Sequence, residues 1–309
     1  MKNIQSIKIG SRASPLALVQ TRDVLKALQL IEPNISFELV PITTKGDREQ
    51  NKSLSEIGRG AFASDIERSI QSGEIDAAVH SAKDLSSALP KRLEIAAYAA
   101  RIDSRDVIVN RWDLELTKLP TGAKIGSGSP RRIAQIKAVR PDIQFVPIRG
   151  NIGTRLNMID GQNYDGVLLA AAGLIRLGSE ELITEYLMPS VCTPDPGQGA
   201  LAVQTRTDSH QIIKLLKKFN HNPTYQAVSI ERAVVRLLGG DCNSPIGINA
   251  EISNGKSIVT AMISEIDGSD IIRILESYPS TDPEIVALRV KESLEIAGAV
   301  RLSTWAGEK

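Results

Sequence analysis

Residues 7–20 read IKIGSRASPLALVQ, and residues 124–139 read KIGSGSPRRIAQIKAV. In each, a short apolar run ends in Gly-Ser, a Ser-Pro pair follows, and a periodic stretch begins. Serine is a natural N-cap and proline fits the first helical position, so both stretches predict strand, tight turn and helix. Backbone N–H groups at such a helix end attract anions, and the helix dipole adds to the effect. One such device is an ordinary capped helix. The same device twice, each time with adjoining arginines, predicts two anion-binding strand ends.

Outward from these openings the elements alternate. FELVPIT (37–43), IDAAVHS (75–81) and LEIAAYAA (93–100) read as strands of a first lobe, and IQFVPI (143–148) and YDGVLLAAA (164–172) as strands of a second. SDIERSIQSG (64–73) and NIGTRLNMIDG (151–161) read as helices between them. Alternation of this kind predicts mixed or mostly parallel sheets covered by helices, with ligands at the C-terminal ends of strands. The expected fold class is therefore α/β, two lobes with mixed sheets around a cleft. RIDSRDVIV (101–109) carries the chain into the second lobe, and SVCTPDPGQGALAVQ (190–204), dense in Pro and Gly, carries it back. After residue 220, TYQAVSIERAVVRLL is helical, GINAEIS, KSIVTAMIS and DIIRILES alternate as antiparallel strands, and EIVALRVKESLEIAG is a final helix. The expected domains are 1–101 with 194–220, 102–193, and a small α+β third domain, 221–309.

The composition narrows the function. A chain of 309 residues with 42% hydrophobic content builds a sizeable core. Lys plus Arg is 37 against 36 Asp plus Glu, so no basic field points to nucleic acid. Two cysteines make no disulfide framework, and no Cys/His spacing suits a metal. The N-terminal residues have no apolar signal core and no segment is long enough to span a bilayer, so a cytoplasmic protein without a membrane partner is expected. Walker loop, GxSxG and HExxH motifs are missing, which removes the usual support for nucleotide hydrolysis, serine hydrolysis and zinc proteolysis.

The chemistry-bearing residues fall at loop ends. Arg12, Arg131, Arg132, Arg149, Arg155 and Arg176 lie in or beside GSRASP, GSGSPRR, RGNIGTR and AAGLIRLG. Arginine makes forked contacts with carboxylates, so several at strand ends point to a ligand with several acidic groups. In RGNIGTR, Gly150 and Gly153 mark close backbone approach between the two arginines. AAVHSAKD (77–84) delivers Ser81, Lys83 and Asp84 to a strand end, where Asp84 can stabilise a cation and relay a proton. His80 reads as a packed strand residue. RLLGGDCNSPIG (236–247) places Cys242 in a turn of Gly, Asp, Asn and Pro, which displays a thiol instead of burying it. Cys192 has no catalytic companion, and its replacement by serine is expected to be nearly neutral.

Taken in order, HSAKD, GSGSPRR, RGNIGTRL, AAGLIRLG, PGQGA and GGDCNSPIG resemble the porphobilinogen deaminase family, and the similarity runs from IKIGSRASPLALVQ into the third domain. The resemblance implies two periplasmic-binding-protein-like lobes of type II and an α+β domain carrying a cysteine. It implies a dipyrromethane cofactor held through a thioether on Cys242, and head-to-tail joining of four porphobilinogen molecules into hydroxymethylbilane with loss of ammonia. By motif match Asp84 is the catalytic group. Ser81, Lys83, Asp84, Ser127, Gly128, Ser129, Arg131, Arg132 and Arg155 hold the cofactor. Arg12, Ser14, Phe62, Arg149, Gly150, Arg155, Arg176 and Gln198 meet the substrate or growing chain. The family expectation is a monomer.

The chain departs from the family pattern in two places. GGDC stands where the family usually has EGGC, which puts Asp241 beside the thiol. Glu56 and Arg59 stand at the lysine positions of the loop before Phe62. A slow or inactive paralogue and a two-lobed small-anion-binding protein are the alternatives.

Overall fold

The computed structural model describes residues 5–48, 63–240 and 244–306. Phe62, Cys242, Asp241 and the loop carrying Glu56 and Arg59 lie outside the described residues. The chain divides into two compact units, Met1–Arg101 with Ala200–Tyr225, and Ile102–Gly199 with Gln226–Lys309. The sequence placed the return at 194 and set the last segment apart from 221. Ala200–Tyr225 returns to the first unit, and Gln226–Lys309, which holds a small three-stranded sheet, is grouped with Ile102–Gly199.

In the first unit, β1 (Ser6–Arg12) leads to α1 (Pro15–Ile31), β2 (Ser36–Ile42), the single turn α2 (Lys45–Arg48), α3 (Ser64–Ser72), β3 (Ala77–Ser81) and β4 (Leu93–Tyr98). After Ala200 the unit gains β10 (Leu201–Arg206) and α7 (His210–Phe219). The five-stranded sheet has the order β2-β1-β3-β10-β4. Strand β1 pairs in parallel with β2 and β3, and β10 runs antiparallel to β3 and β4. Helix α1 forms because its inward positions, Gln20, Val24 and Leu28, recur every fourth residue and pack on the sheet. Ile7 and Ile9 of β1 are fully buried, each adding about 1.5–3 kcal/mol of apolar burial. Gly10 follows them because a Cβ there would sit 2.3 Å from Ile75 Cδ1.

The second unit repeats the plan. It contains β5 (Asp106–Asn110), β6 (Lys124–Gly126), α4 (Pro130–Val139), β7 (Gln144–Val146), α5 (Ile152–Asn157), β8 (Gly166–Ala170), α6 (Ala171–Arg176) and β9 (Glu185–Leu187). The order is β7-β6-β8-β5-β9, again with two parallel pairings on the second strand and two antiparallel pairings on the fourth. Helix α8 (Asn222–Leu237) then leads into the antiparallel strands β11 (Ile246–Ser253), β12 (Lys256–Ser264) and β13 (Ile271–Tyr278), closed by α9 (Pro283–Ile296). Ile230, Val234, Ile248, Val259, Val286, Val290 and Leu294 share one core there.

Polar contacts tie this segment to the rest of its unit. Glu231 of α8 is fully buried and accepts from the N–H groups of Gly197 (2.6 Å) and Ala250 (2.8 Å). Arg273 of β13 donates to Gln135 Oε1 (2.8 Å) and Thr193 Oγ1 (3.2 Å). Among the described residues no helix is long and apolar enough to cross a membrane.

Candidate active site

Strands β1 and β3 lie side by side in the first unit, so their C-terminal ends bring Arg12 and the sequence Ser81–Asp84 together. Residues Ala82–Asp84 form a single 3-10 turn that lifts Lys83 and Asp84 off the strand. Arg12 Nη1 stands 4.0 Å from Asp84 Oδ2, whose side chain is 35% exposed. The other arm of Arg12, Nη2, donates to Asp47 Oδ1 at 2.6 Å. Ser81 Oγ donates to Gln20 Oε1 at 3.3 Å, and Lys83 is half-buried. Ser14 occupies the N-cap of α1 without making a side-chain cap bond, so its hydroxyl leaves the helix's opening N–H groups unfilled. His80 is buried within β3, where burial pushes its pKa down to about 4 with Arg12 acting in the same sense against a hydrogen bond with Gln204. It is a neutral packed residue at neutral pH.

In the second unit the matching turn is tighter. Ser129 caps α4 by accepting from Arg132 N at 3.4 Å, and buried Ser127 accepts from Ser129 N at 3.3 Å, so both hydroxyls serve the turn itself. Gly128 is exposed. The loop after β7 reaches Gly150, whose φ of +103° is open to glycine and where a Cβ would meet Thr154 Cγ2 at 2.8 Å. Asn151 caps α5 from Thr154 N, and Arg155 Nε donates back to Gly150 O at 2.8 Å. Arg149 makes no hydrogen bond or ion pair among the described residues. Burial, with Arg132 and Arg149 nearby, lowers the Arg155 pKa to about 10. Three arginines close enough to repel one another form a site that an anion would relieve. Arg176 Nη2 donates to Gly199 O at 2.8 Å.

Arg131 and Arg132, expected to hold the cofactor's acidic groups, also carry internal bonds. Their side chains are 4% and 9% exposed, and both grip Asp106, which is fully buried at the start of β5. Arg131 Nη1 donates to Asp106 Oδ2 (2.7 Å) and Thr193 O (2.6 Å); Arg132 donates through Nε to Asp106 Oδ1 (2.9 Å) and through Nη1 to Leu168 O (3.0 Å). Burial raises the Asp106 pKa, but the two arginines and Gln198 more than reverse this and hold it well below the usual carboxylate range. Gln198, expected to meet the substrate, also bonds inward. It is fully buried, and its Nε2 donates to Ser104 O (2.7 Å) and Asp106 Oδ1 (2.9 Å). The fully buried thiol of Cys192 lies 3.3 Å from Asp106 Oδ2, and burial and that carboxylate push its pKa up to about 12. Of the network, only Nε of Arg131 is buried with no partner among the described residues.

Sequence reasoning missed Asp106 and Asp47. An aspartate opening an apolar strand, as in RDVIVN, was the available signal for the first.

The family profile described as "Porphobilinogen deaminase, dipyromethane cofactor binding domain" matches residues 7–214, and "Porphobilinogen deaminase, C-terminal domain" matches residues 225–295. The chain belongs to the porphobilinogen deaminase family. It is 41% identical to the porphobilinogen deaminase of Alkaliphilus metalliredigens over 96% of this chain and 94% of that one. It is 40% identical to that of Bacillus pumilus (96% of each chain) and 41% identical to that of Geobacillus kaustophilus (97% of each). Among solved structures, the periplasmic VFT2 domain of Bordetella pertussis BvgS aligns at 17% identity and a TM-score of 0.42, over 70% of this chain and 86% of that one.

Proposed function

We propose that this porphobilinogen deaminase family member joins four porphobilinogen molecules head to tail, releasing one ammonia per addition, on a dipyrromethane primer carried through a thioether on Cys242, and that water then cleaves the four-ring chain from the primer as hydroxymethylbilane. The observation that carries the reading is the half-exposed Asp84 carboxylate held beside Arg12 where β3 ends. Porphobilinogen brings a pyrrole N–H, an aminomethyl group, an acetate and a propionate. Asp84 accepts from the pyrrole N–H and faces the positive charge that develops as the C–N bond breaks. It also takes up the proton released when the new C–C bond forms. Arg12 answers a substrate carboxylate, and Ser14 and the opening of α1 offer further donors.

The second unit's residues fit the cofactor. Arg155, depressed by burial and by Arg132 and Arg149, Arg149 without a partner among the described residues, and the orphaned Nε of Arg131 all call for acidic groups, which dipyrromethane supplies on each ring. When bound, dipyrromethane contributes the free pyrrole carbon on which the chain starts. Asp106 holds Arg131 and Arg132 in place and Gln198 holds Asp106, so these buried groups set the position of the charge without touching substrate. Arg176, tied to Gly199, serves the growing chain. A monomer working in the cytoplasm is the expectation that the family resemblance carries.

The test is ammonia release and hydroxymethylbilane formation by purified protein, wild type against Asp84→Asn. The folded variant is expected to lose turnover by about 100-fold or more. Near-normal ammonia release by folded Asp84→Asn would sink the assignment.

A further inference from the structure

Among the described residues two carboxylates face Arg12, and they are not equivalent. Asp47 lies in the single turn α2, and its Oδ2 accepts from Thr44 N (3.2 Å) and Thr44 Oγ1 (2.8 Å), while Asp47 N donates back to Thr44 Oγ1 (3.3 Å). This reciprocal capping arrangement fixes the carboxylate. Thr44 is fully buried, so the anchor does not move with solvent. The remaining oxygen, Oδ1, takes the 2.6 Å bond from Arg12, whereas Asp84 stands off at 4.0 Å. The shorter, charge-assisted contact dominates the orientation of the guanidinium. Exposure follows the same order, 16% for the Asp47 side chain and 35% for Asp84.

We propose that Asp47 is a positioning residue for the deaminase chemistry, holding Arg12 beside Asp84 without letting the two close into a direct ion pair. The inference rests on the role given above to Asp84. Asp84 must keep its oxygens open for a pyrrole N–H and a developing cation. Arg12 freed from Asp47 closes onto Asp84, the nearest other carboxylate among the described residues, and fills the oxygens that the reaction needs. The loss then appears in the transition state and not in ground-state binding. Asp47 touches neither substrate nor reacting atoms in this scheme and acts through Arg12.

The experiment is steady-state kinetics with porphobilinogen on cofactor-loaded protein, with kcat normalised to the fraction of chains that form a first covalent substrate adduct. Wild type turns over. Asp47→Asn is expected to lose about tenfold or more in kcat with KM within about twofold, the scale expected of a misplaced active-site group. Asp47→Glu, which retains both the reciprocal cap and an oxygen for Arg12, recovers most of the loss. Thr44→Val, which keeps the Asp47 charge but removes its hydroxyl anchor, shows the same split at smaller size and serves should Asp47→Asn fold poorly. Normalisation removes any loss that comes from misfolded protein, so a merely structural role leaves normalised kcat unchanged and overturns the proposal. A rise in KM with kcat intact also overturns it, because Asp47 then acts only on substrate binding. A cofactor-loaded wild type that forms no adduct overturns the activity itself and this proposal with it.

Discussion

Arg131 donates to Asp106 across 2.7 Å in a place that water does not reach, the two side chains being 4% and 0% exposed. Arg132 completes the arrangement from the other oxygen. Removing the shared carboxylate leaves two buried cations facing each other, the situation in which loss of one partner is most damaging. Asp106→Asn is expected to lower stability by about 3–5 kcal/mol in chemical denaturation. Cys192→Ala, which removes only the buried thiol beside Asp106, is expected to cost about 1–2 kcal/mol and leave activity per folded molecule intact. An Asp106→Asn variant as stable as wild type would contradict the assignment of this pair as the unit's internal clamp.

Two separate acid transitions follow from the buried groups. The folded-state pKa of His80 lies at about 4 against an ordinary 6.5, so the unfolded chain binds its proton first. The stability this withholds is intact above pH 6.5 and is lost as pH falls to about 4, on the order of 3 kcal/mol. Asp106, Asp47 and Asp103 are held below the carboxylate range, so their contribution is intact above about pH 3.9 and declines only below it. Urea melts from pH 8 to 3 should show both slopes, and His80→Gln should flatten the upper one alone. An unchanged upper slope in His80→Gln would assign it elsewhere.

The Arg155 site predicts stabilisation by polyanions. Burial first, and then the neighbouring Arg132 and Arg149, lower the Arg155 pKa to about 10, so a bound anion relieves repulsion as well as filling donors. Cofactor-loaded protein should melt several degrees above cofactor-free protein. Arg155→Gln should stabilise the cofactor-free form slightly and shrink that difference. Equal melting temperatures of the loaded and free forms, measured by calorimetry, would argue against the arginine cluster as the cofactor's anchor.

The fold was legible where one residue's neighbours in sequence are also its neighbours in space. Ser14-Pro15 and Ser129-Pro130 announced their helices, and the strand runs around Ile9, Val79, Leu168 and Val259 announced theirs. The ends of those strands then named Arg12, Asp84, Arg149 and Arg155. What stayed hidden depends on pairing across long separations. Nothing local in RDVIV says that Asp106 meets Arg131 and Arg132, which enter from α4, so the two arginines read as ligand groups when much of their hydrogen bonding is internal. The inward bonds of Gln198 were hidden for the same reason, since nothing in a Gly-rich loop says that its glutamine reaches Asp106. Asp47 sat in an unremarked TTKGD turn whose meaning depends on Arg12, from a different strand.

The central claim is that Cys242 carries the primer on which Asp84 chemistry builds the chain, and intact mass spectrometry reads it directly. Purified wild type should be heavier than its 309-residue chain by two pyrrole units, and stoichiometric porphobilinogen should add one-, two-, three- and four-substrate adducts in succession. Cys242→Ser should show the bare mass and no ladder, whereas Cys192→Ser should show both the primer and the ladder. A wild-type chain at bare mass, or a full adduct ladder on Cys242→Ser, would contradict the account.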